Sequence, residues 1–240
     1  NPELALEVLH QDAAVIVVNK PGGMPCHPLH ADERDTVMNA VVARFPDVAT
    51  VGEKPLEGGL LHRLDNGTSG ALLIARNRGT FDKLRDAIRA ASQAEAYATR
   101  ISRRYAALVG GTLERKTEID TPIAHHAKNA RKMIVGDPSS ASPKRAGRAA
   151  STVVDPMRRV GDFTLLSIAP KTGSRHQIRV HLASIGHPIV GDVLYGGPAS
   201  DTLARGRFWL HLCDVAFDSP AVGHVKVTAP IPEDLKKLIQ

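Results

Sequence analysis

Residues 62–75 have the sequence HRLDNGTSGALLIA, in which a polar turn leads directly into a short apolar run. The run, residues 70–75, is bounded by turn residues and predicts a buried β-strand. Asp65 lies in the turn between a basic pair, His62 and Arg63, and a Thr-Ser-Gly triplet. Arginine, hydroxyl and backbone donors would keep a carboxylate there ionised, which covalent catalysis by a carboxylate requires. The alternative is a structural turn in which Asp65 only satisfies backbone N–H groups.

The segments around this strand show both strand and helix patterns. Residues 7–20 predict two strands joined by a turn, ended by a Pro-Gly-Gly breaker. Residues 36–45 have apolar side chains at helical spacing, and Thr80 is a candidate N-cap for a second helix. The inward apolar stripe of that helix is predicted to consist of Leu84, Ile88 and Ala91. Further strands are predicted at residues 104–109, 150–154 and 163–168, and a mobile surface loop at 137–150.

Residues 174–186 fit two structures. Apolar side chains at 178, 182 and 185 favour a helix, with Ser174 as N-cap and Gly186 at its C-terminal end. A strand through residues 176–182 is the alternative. Because strands and helices mix without a regular βαβ order, we expect one α+β domain over residues 1–240.

Composition limits the class of protein. Of the 240 residues, 42% are hydrophobic, enough for a substantial core. No apolar run approaches the roughly 18 residues that cross a bilayer, and no signal peptide is visible. The two cysteines do not suggest a disulfide framework, so a cytoplasmic location is predicted. Since the chain begins without Met, an additional upstream domain stays open as an alternative.

The charge is positive and unevenly distributed. Lys and Arg number 31 against 25 Asp and Glu, a formal net charge of +6. Much of the excess lies between residues 128 and 159, at Lys128, Arg131, Lys132, Lys144, Arg145, Arg148, Arg158 and Arg159. Such a stretch suits a polyanion such as RNA, and a solvated basic surface is the alternative.

Two more segments combine cations with groups suited to a nucleotide. Residues 171–181, KTGSRHQIRVH, surround a glycine turn with cations and imidazoles, which suits phosphate binding. On a helix, Arg175 and Arg179 would lie on the same face towards an anion; the alternative is a basic surface helix. Residues 101–110, ISRRYAALVG, place Tyr105 beside basic residues, where it could stack on an unpaired base or pack in the core.

Taken together and in this order, these segments resemble the RluA-type pseudouridine synthases. Residues 62–70, HRLD-x-x-TSG, are similar to the family's motif around its catalytic aspartate. Residues 172–196 resemble its C-terminal motif, and residues 19–28, with NKPGG and a following His-Pro, resemble its N-terminal one. The resemblance extends from about residue 15 to residue 212. It implies a central mixed, largely antiparallel sheet flanked by helices and loops, with an active-site cleft across the sheet.

The sequence departs from the family pattern at three positions. Arg103 stands where the family usually has Lys, which keeps the charge but changes the hydrogen-bonding geometry. Ser174 occupies a position that is often Arg, and Arg175 one that is often Thr or Ser. The phosphate contacts of this segment are therefore expected to differ from the family's.

The resemblance implies isomerisation of uridine in ribosomal or transfer RNA, with no cofactor and no metal. Asp65, Tyr105 and Arg179 would be catalytic, and Arg179 would pair with Asp65 and keep it anionic. Asp65 would attack the ribose, attack the uracil ring or remove a 2′-proton, and all three roles stay open. The implied substrate-binding set comprises Arg63, Ile178, His62, Thr68 and Arg175. The uridine would have to flip out of structured RNA to reach such a site.

Three other functions are alternatives to this one. A non-catalytic RNA-binding module would use the same basic surface but has no need for Asp65. A metal site at Cys26, His27 and His30 has no second pair of ligands at a suitable distance. Ser69 lacks the Gly-x-Ser-x-Gly pattern of a serine hydrolase. RNA is therefore the predicted partner, with no membrane, no obligate protein partner and a monomeric state.

Overall fold

The computed structural model describes residues 1–91 and 101–240, except for the side chains of Ala90 and Ala91. The strands are β1 Glu7–Gln11, β2 Val15–Lys20, β3 Ser69–Ala75, β4 Ser102–Gly110, β5 Thr117–Asp120, β6 Ile123–His125, β7 Met133–Val135, β8 Ser151–Val160, β9 Phe163–Pro170, β10 Leu210–Ser219 and β11 Gly223–Thr228. The α-helices are α1 Val37–Arg44, α2 Arg78–Ala91, α3 Pro143–Ala146, α4 Gln177–Ser184 and α5 Glu233–Lys236. Two 3₁₀ helices span Pro46–Thr50 and Val193–Tyr195.

Tertiary contacts divide the chain into two units. The first comprises residues 1–103 and 211–231, and the second comprises residues 104–210 and 232–240. Seven pairs of described strands are antiparallel and the pair of β3 with β10 is parallel, so these pairings are mixed and largely antiparallel. This confirms the predicted α+β class. Within the described residues, no helix is both long and apolar enough to cross a membrane.

The first unit is organised around β2 and β3, which are buried along almost their whole length. Their register runs from Val15 opposite Ala75 to Lys20 opposite Gly70. β1 pairs with β2, β10 runs parallel to β3, and β11 pairs with β10. The two strands predicted over residues 7–20 and the buried strand after the turn are thereby confirmed. Every residue of β3 is buried, which is why its sequence shows a continuous apolar run.

Capping residues decide where the helices of the first unit begin. Thr36 and Asn39 form a reciprocal capping box at α1, so the helix predicted at 36–45 is confirmed. The prediction of Thr80 as the N-cap of α2 is wrong, because the helix begins at Arg78. The Asn77 side chain accepts a hydrogen bond from the Thr80 N–H (2.9 Å) instead. Asparagine is as effective an N-cap as serine, so the earlier residue caps the helix.

The predicted inward stripe of α2 is confirmed in part. Leu84 is 1% exposed and Ile88 is half-buried, whereas the side chain of Ala91 lies outside the described residues. Phe81 and Ala87 complete the buried face, at 1% and 3% exposure. The apolar spacing of three and four residues therefore gave the correct face of the helix.

The second unit contains the antiparallel series β4, β9, β8 and β5, and the separate hairpin β6–β7. Strands predicted at residues 104–109, 150–154 and 163–168 are confirmed as β4, β8 and β9. The segment 137–150 is not a loop throughout, because α3 lies inside it, with Pro143 at its first turn. Proline pre-sets the helical backbone angle at that position, a signal that the Ser- and Lys-rich composition masks.

Helix α4 settles the two alternatives for residues 174–186 in favour of the helix. Gly186, with a φ of +81°, follows its C-terminal end as predicted. The prediction of Ser174 as the N-cap is wrong, since His176 occupies the N-cap position with a left-handed φ of +53°. The His176 side chain makes no capping hydrogen bond to the helix. The side chain of Gln177 instead accepts bonds from the Ser174 N–H (3.0 Å) and the Thr172 hydroxyl (2.7 Å).

Candidate active site

Asp65 lies at the start of a tight turn that precedes β3. The turn is closed by the backbone, because the Thr68 N–H donates to the Asp65 carbonyl (2.9 Å). Asp65 is half-buried, Arg63 is exposed and Thr68 is buried. The hydrogen bond that closes this turn therefore uses the peptide group of Asp65 and not its carboxylate.

Lys20 stabilises the turn through hydrogen bonds to backbone carbonyls. Its side chain is fully buried, and its ammonium donates to the carbonyls of Pro21 (2.9 Å), Asn66 (3.1 Å) and Thr68 (2.7 Å). A buried cation is stable only when its donors are satisfied, so each of these carbonyls is fixed in place. Lys20 belongs to the N-terminal motif of the sequence, but no role was predicted for it.

Cys26 holds the chain immediately before Asp65. Its sulfur donates to the Leu64 carbonyl (3.2 Å) and accepts from the Leu64 N–H (3.3 Å). Burial raises the pKa of the Cys26 thiol above its ordinary value, which keeps it protonated and able to make both bonds. Across residues 1–91 and 101–240, no group of three or more His, Cys, Asp or Glu could hold a metal ion. The metal alternative at Cys26 therefore receives no support.

His62 occupies a buried position behind the turn. Its Nε2 accepts a hydrogen bond from the Leu73 N–H of β3 (3.2 Å), while no partner for Nδ1 occurs among the described residues. Burial, with a smaller contribution from the Arg103 charge, lowers the pKa of His62 to about 3. The imidazole is therefore buried, neutral and bonded to β3 behind the turn.

The pKa of His62 predicts a pH dependence of stability. Because the folded pKa of about 3 lies below the ordinary 6.5, the unfolded state binds the proton first as the pH falls. The contribution of His62 to the free energy of unfolding is therefore fully present well above pH 6.5, and it is lost progressively as the pH falls from 6.5 towards 3. By pH 5 this one group would lower the free energy of unfolding by about 2 kcal/mol.

Denaturant unfolding at pH 8 and pH 5 measures this loss. The variant His62→Gln should lose about 2 kcal/mol less than the wild type between the two pH values. His224→Gln is the matched control, since the His224 side chain is 66% exposed. If His62→Gln and the wild type show the same pH dependence, His62 is not held neutral by the fold.

Gly70 and Ser69 connect the turn to β10. Gly70 has a φ of +122°, and a Cβ there would lie 2.2 Å from the Leu212 carbonyl oxygen, so only glycine fits. Ser69 is 1% exposed, and its hydroxyl donates a hydrogen bond to Nδ1 of His211 (2.8 Å). The Nε2–H of the same imidazole donates to the Ala229 carbonyl (3.2 Å). A serine buried in this way links strands and offers no accessible nucleophile, which removes support for the hydrolase alternative.

In the second unit, Arg179 forms a buried ion pair with Asp192. Its Nε donates to Oδ2 (2.7 Å) and its Nη2 to Oδ1 (2.8 Å), a two-bond geometry between side chains that are 8% and 1% exposed. Gly191 permits the chain to turn here, with a φ of +85° and the Arg207 carbonyl 2.7 Å from where a Cβ would lie. Asp192 was part of the C-terminal motif, but its pairing with Arg179 was not predicted.

Two aromatic rings contact the same guanidinium. The Cζ atom of Arg179 lies 4.9 Å from the ring centroid of Tyr195 and 4.4 Å from that of Phe208. Cation–π contacts of this kind are strongest where water is excluded. The Arg179 guanidinium therefore contacts a carboxylate and two aromatic rings, and together these contacts fix its orientation.

The predicted anion-binding face of α4 is wrong. Arg175 lies before the first residue of the helix, is exposed and donates to the Ala130 carbonyl (3.1 Å), whereas Arg179 is buried. The left-handed residue between them, His176, breaks the helical spacing that the prediction assumed. The two arginines therefore have different surroundings.

The remaining predicted residues are buried. Tyr105, in β4 opposite Ile168 of β9, is 6% exposed, and Ile178, in the first turn of α4, is 7% exposed. The first unit thus contains one part of the predicted set and the second unit contains the other. The first part is Asp65, Arg63, His62 and Thr68, and the second is Tyr105, Arg175, Ile178 and Arg179.

The fold is that of the pseudouridylate synthases. The solved structure of human RNA pseudouridylate synthase domain containing 1 matches this chain with a TM-score of 0.70 at 24% sequence identity. The match covers 95% of this chain and 84% of the human one. A model of the RNA pseudouridylate synthase family matches residues 14–184.

Two curated relatives resemble the chain over most of its length. An uncharacterized RNA pseudouridine synthase of Chloroflexus aurantiacus is 38% identical over 224 residues, covering 92% of this chain and 65% of the relative. Ribosomal large subunit pseudouridine synthase D of Pseudomonas aeruginosa is 33% identical over 249 residues, covering 99% of this chain and 72% of the relative. The chain belongs to the RNA pseudouridylate synthase family, a family of isomerases, as its motifs predicted.

Proposed function

We propose that this chain is an RNA pseudouridine synthase that isomerises one or more uridines of ribosomal RNA, with Asp65 as the catalytic group. In this reaction the bond between N1 and C1′ breaks, the uracil rotates and C5 bonds to C1′. The C5 proton leaves and N1 regains one, so atoms and electrons balance with no redox partner. A uridine in structured RNA would have to leave its stack to reach the carboxylate.

The observation that carries this proposal is the way in which the Asp65 turn is held. Two buried groups fix the peptides on either side of it, Cys26 through Leu64 and Lys20 through Asn66 and Thr68. Asp65 as a residue is only half-buried. An aspartate whose backbone is fixed on both sides and which is not fully buried is suited to act on a bound nucleotide.

The other predicted residues receive roles that their surroundings support. Tyr105 would stack on the uracil and assist proton removal at C5, and Ile178 would pack beneath the base. Arg179 would keep Asp65 anionic. Its guanidinium is already oriented by the two hydrogen bonds to Asp192, which supports this role. Arg63, which is exposed, would fill the space left by the flipped base or hold the distorted backbone.

The remaining members of the predicted substrate-binding set would act at a distance from the uracil. His62 and Thr68 would keep the catalytic turn in shape, since both are buried beside it. Arg175 would contact a phosphate, because it is exposed and bonded to Ala130 in the loop between β6 and β7. We expect the protein to act in the cytoplasm as a monomer, with RNA as its partner and without a cofactor.

Mapping of pseudouridines in RNA tests the choice of substrate. In cells that lack the protein, one or more pseudouridines of large-subunit ribosomal RNA should revert to uridine, and the wild-type gene should restore them. The names of the similar bacterial enzymes support this RNA over transfer RNA. Loss of pseudouridine from transfer RNA alone would contradict the ribosomal assignment, and an unchanged map of both RNAs would contradict the proposed function in these cells.

A further inference from the structure

Tyr195 is the point at which three segments of the second unit meet. Its hydroxyl accepts a hydrogen bond from the Met133 N–H at the start of β7 (2.9 Å) and lies 2.8 Å from His176 Nδ1. Because the hydroxyl has one proton, this arrangement is satisfied when it donates that proton to His176. One phenol oxygen therefore joins the β6–β7 hairpin to the residue that precedes α4.

The ring of Tyr195 contacts the ion pair described above. The Cζ atom of Arg179 lies 4.9 Å from the ring centroid, and the Lys132 ammonium lies 5.6 Å from it. The ring also packs against the small apolar cluster of Ile123, Met133, Ala150 and Val180, which connects the hairpin to α4. The hydroxyl and the ring thus have separable functions, the first towards the hairpin backbone and the second towards the guanidinium.

The hairpin that Tyr195 holds presents a preformed cationic loop. His126 Nδ1 accepts from the N–H groups of Lys128 and Asn129 (both 3.1 Å), and the Asn129 side chain accepts from the Arg131 N–H (3.0 Å). Residues 123–135 include three cations, Lys128, Arg131 and Lys132, and no Asp or Glu. A loop whose backbone is fixed by its own side chains loses little entropy when it binds an anion.

A cavity adjoins this loop and the 3₁₀ helix that contains Tyr195. It has a volume of about 570 Å³ and is lined by residues 128–131 and Leu194. Lys128 and Arg131 are exposed, so phosphate oxygens can reach them without displacing a buried partner. A cationic rim beside the apolar side chains of Ala130 and Leu194 suits a nucleotide, with its phosphates on the cations.

We propose that Tyr195 is a positioning residue that fixes an RNA-phosphate-binding loop, residues 126–132, to the Arg179–Asp192 pair. The inference builds on the proposed function and adds the residue that sets the distance between a phosphate contact and a catalytic guanidinium. RNA bound at the loop is thereby held in one register relative to Arg179. Loss of the hydroxyl frees the loop, whereas loss of the ring also removes one of the contacts that orient the guanidinium.

Tyr195→Phe removes the hydroxyl and keeps the ring. It should raise KM for the RNA about tenfold, the scale of one or two lost hydrogen bonds, with a much smaller effect on kcat. Tyr195→Leu should lower kcat as well, because the Arg179 guanidinium then loses one of its two aromatic contacts. In Tyr195→Phe, the slope of log RNA affinity against log salt concentration should be shallower by an amount that corresponds to about one phosphate contact. A merely structural tyrosine would change the melting temperature without separating KM from kcat.

A double-mutant cycle tests whether the hydroxyl acts through the loop. Arg131→Ala should weaken RNA binding and flatten the salt slope in the wild type, and should do so clearly less in the Tyr195→Phe background. Lys116→Ala, at an exposed cation of the same unit outside the hairpin, is the control that should leave both unchanged. Since Arg131→Ala alters only an exposed side chain, it remains informative if Tyr195→Phe folds poorly.

Two outcomes would overturn the inference. One is a Tyr195→Phe variant with wild-type KM and salt slope, and the other is full additivity of the two substitutions. Affinities can also be measured in the Asp65→Asn background, where no turnover is needed. Inactivity of the wild type would therefore contradict the proposed function, whereas additivity in binding would contradict only the role of Tyr195.

Discussion

Replacing Asp65 by Asn is expected to abolish pseudouridine formation while RNA binding survives. The amide has the same shape as the carboxylate, but it can neither act as a nucleophile nor accept a proton. The turn itself should persist, because its closing bond uses the Asp65 carbonyl and its neighbours are held by Lys20 and Cys26. We expect turnover to fall on the order of 10⁴-fold or more, the scale seen when a catalytic nucleophile or its partner is removed.

The measurement combines single-turnover kinetics with RNA affinity for the same preparation. Asp162→Asn provides a matched control, since Asp162 is an exposed aspartate in the turn between β8 and β9. That control should keep wild-type turnover and affinity. Appreciable turnover in Asp65→Asn would disprove the catalytic assignment. A loss of RNA affinity as large as the loss of turnover would mean that the carboxylate contributes to RNA binding and not to catalysis.

Arg179→Met is expected to produce the second largest effect, on both stability and turnover. The substitution leaves the Asp192 carboxylate, 1% exposed, without its two guanidinium bonds. Breaking one side of a buried ion pair costs about 3–5 kcal/mol of unfolding free energy. Turnover should fall as well, because the Asp65 carboxylate would lose the cation proposed to pair with it.

A double variant separates the two effects. Arg179→Met with Asp192→Asn removes the unpaired charge, so most of the stability should return while turnover stays low. Denaturant unfolding and single-turnover kinetics measure the two quantities independently. Recovery of turnover together with stability would mean that Arg179 only stabilises the fold, and wild-type stability of the single variant would contradict the buried pair.

The parts of the fold that the sequence predicted are those specified by neighbouring residues. β2 and β3 combine apolar runs with turn residues at their ends, and Thr36 supplies a reciprocal cap for α1. The same kind of pattern predicted that Asp65 lies in a turn next to a buried strand, and the family motif pointed to it as the catalytic residue. Each of these signals lies within about ten residues of the element that it specifies, so a single sequence is enough to find it.

The contacts that build the site depend on residues that are distant in sequence. Lys20 reaches carbonyls 46 and 48 positions away, and Cys26 reaches Leu64, 38 positions away. Nothing in the local pattern indicates that a lysine will be fully buried, because hydrophobic periodicity describes apolar side chains. The pairing of Arg179 with Asp192 was missed for the same reason, although both residues lie in one motif.

The error on Arg175 has a different physical origin. A spacing of four residues places two side chains on one helical face only if the residues between them are helical. Because His176, with its left-handed backbone, is the N-cap in place of Ser174, α4 begins two residues later than predicted and Arg175 lies outside the helix that contains Arg179. A positive φ at a residue other than glycine is uncommon and carries no reliable sequence signal, so this boundary could not be predicted.

Release of tritium from RNA labelled at C5 of uridine is the most direct measurement of the central claim, that the chain isomerises uridine through Asp65. Formation of the bond between C1′ and C5 displaces the hydrogen at C5, so each pseudouridine made sends one label into water. We expect the wild type to release tritium from ribosomal RNA in amounts equal to the pseudouridine recovered, and Asp65→Asn to release none. Tight binding of that RNA by the wild type without any release would contradict the account and would instead indicate a non-catalytic RNA-binding module.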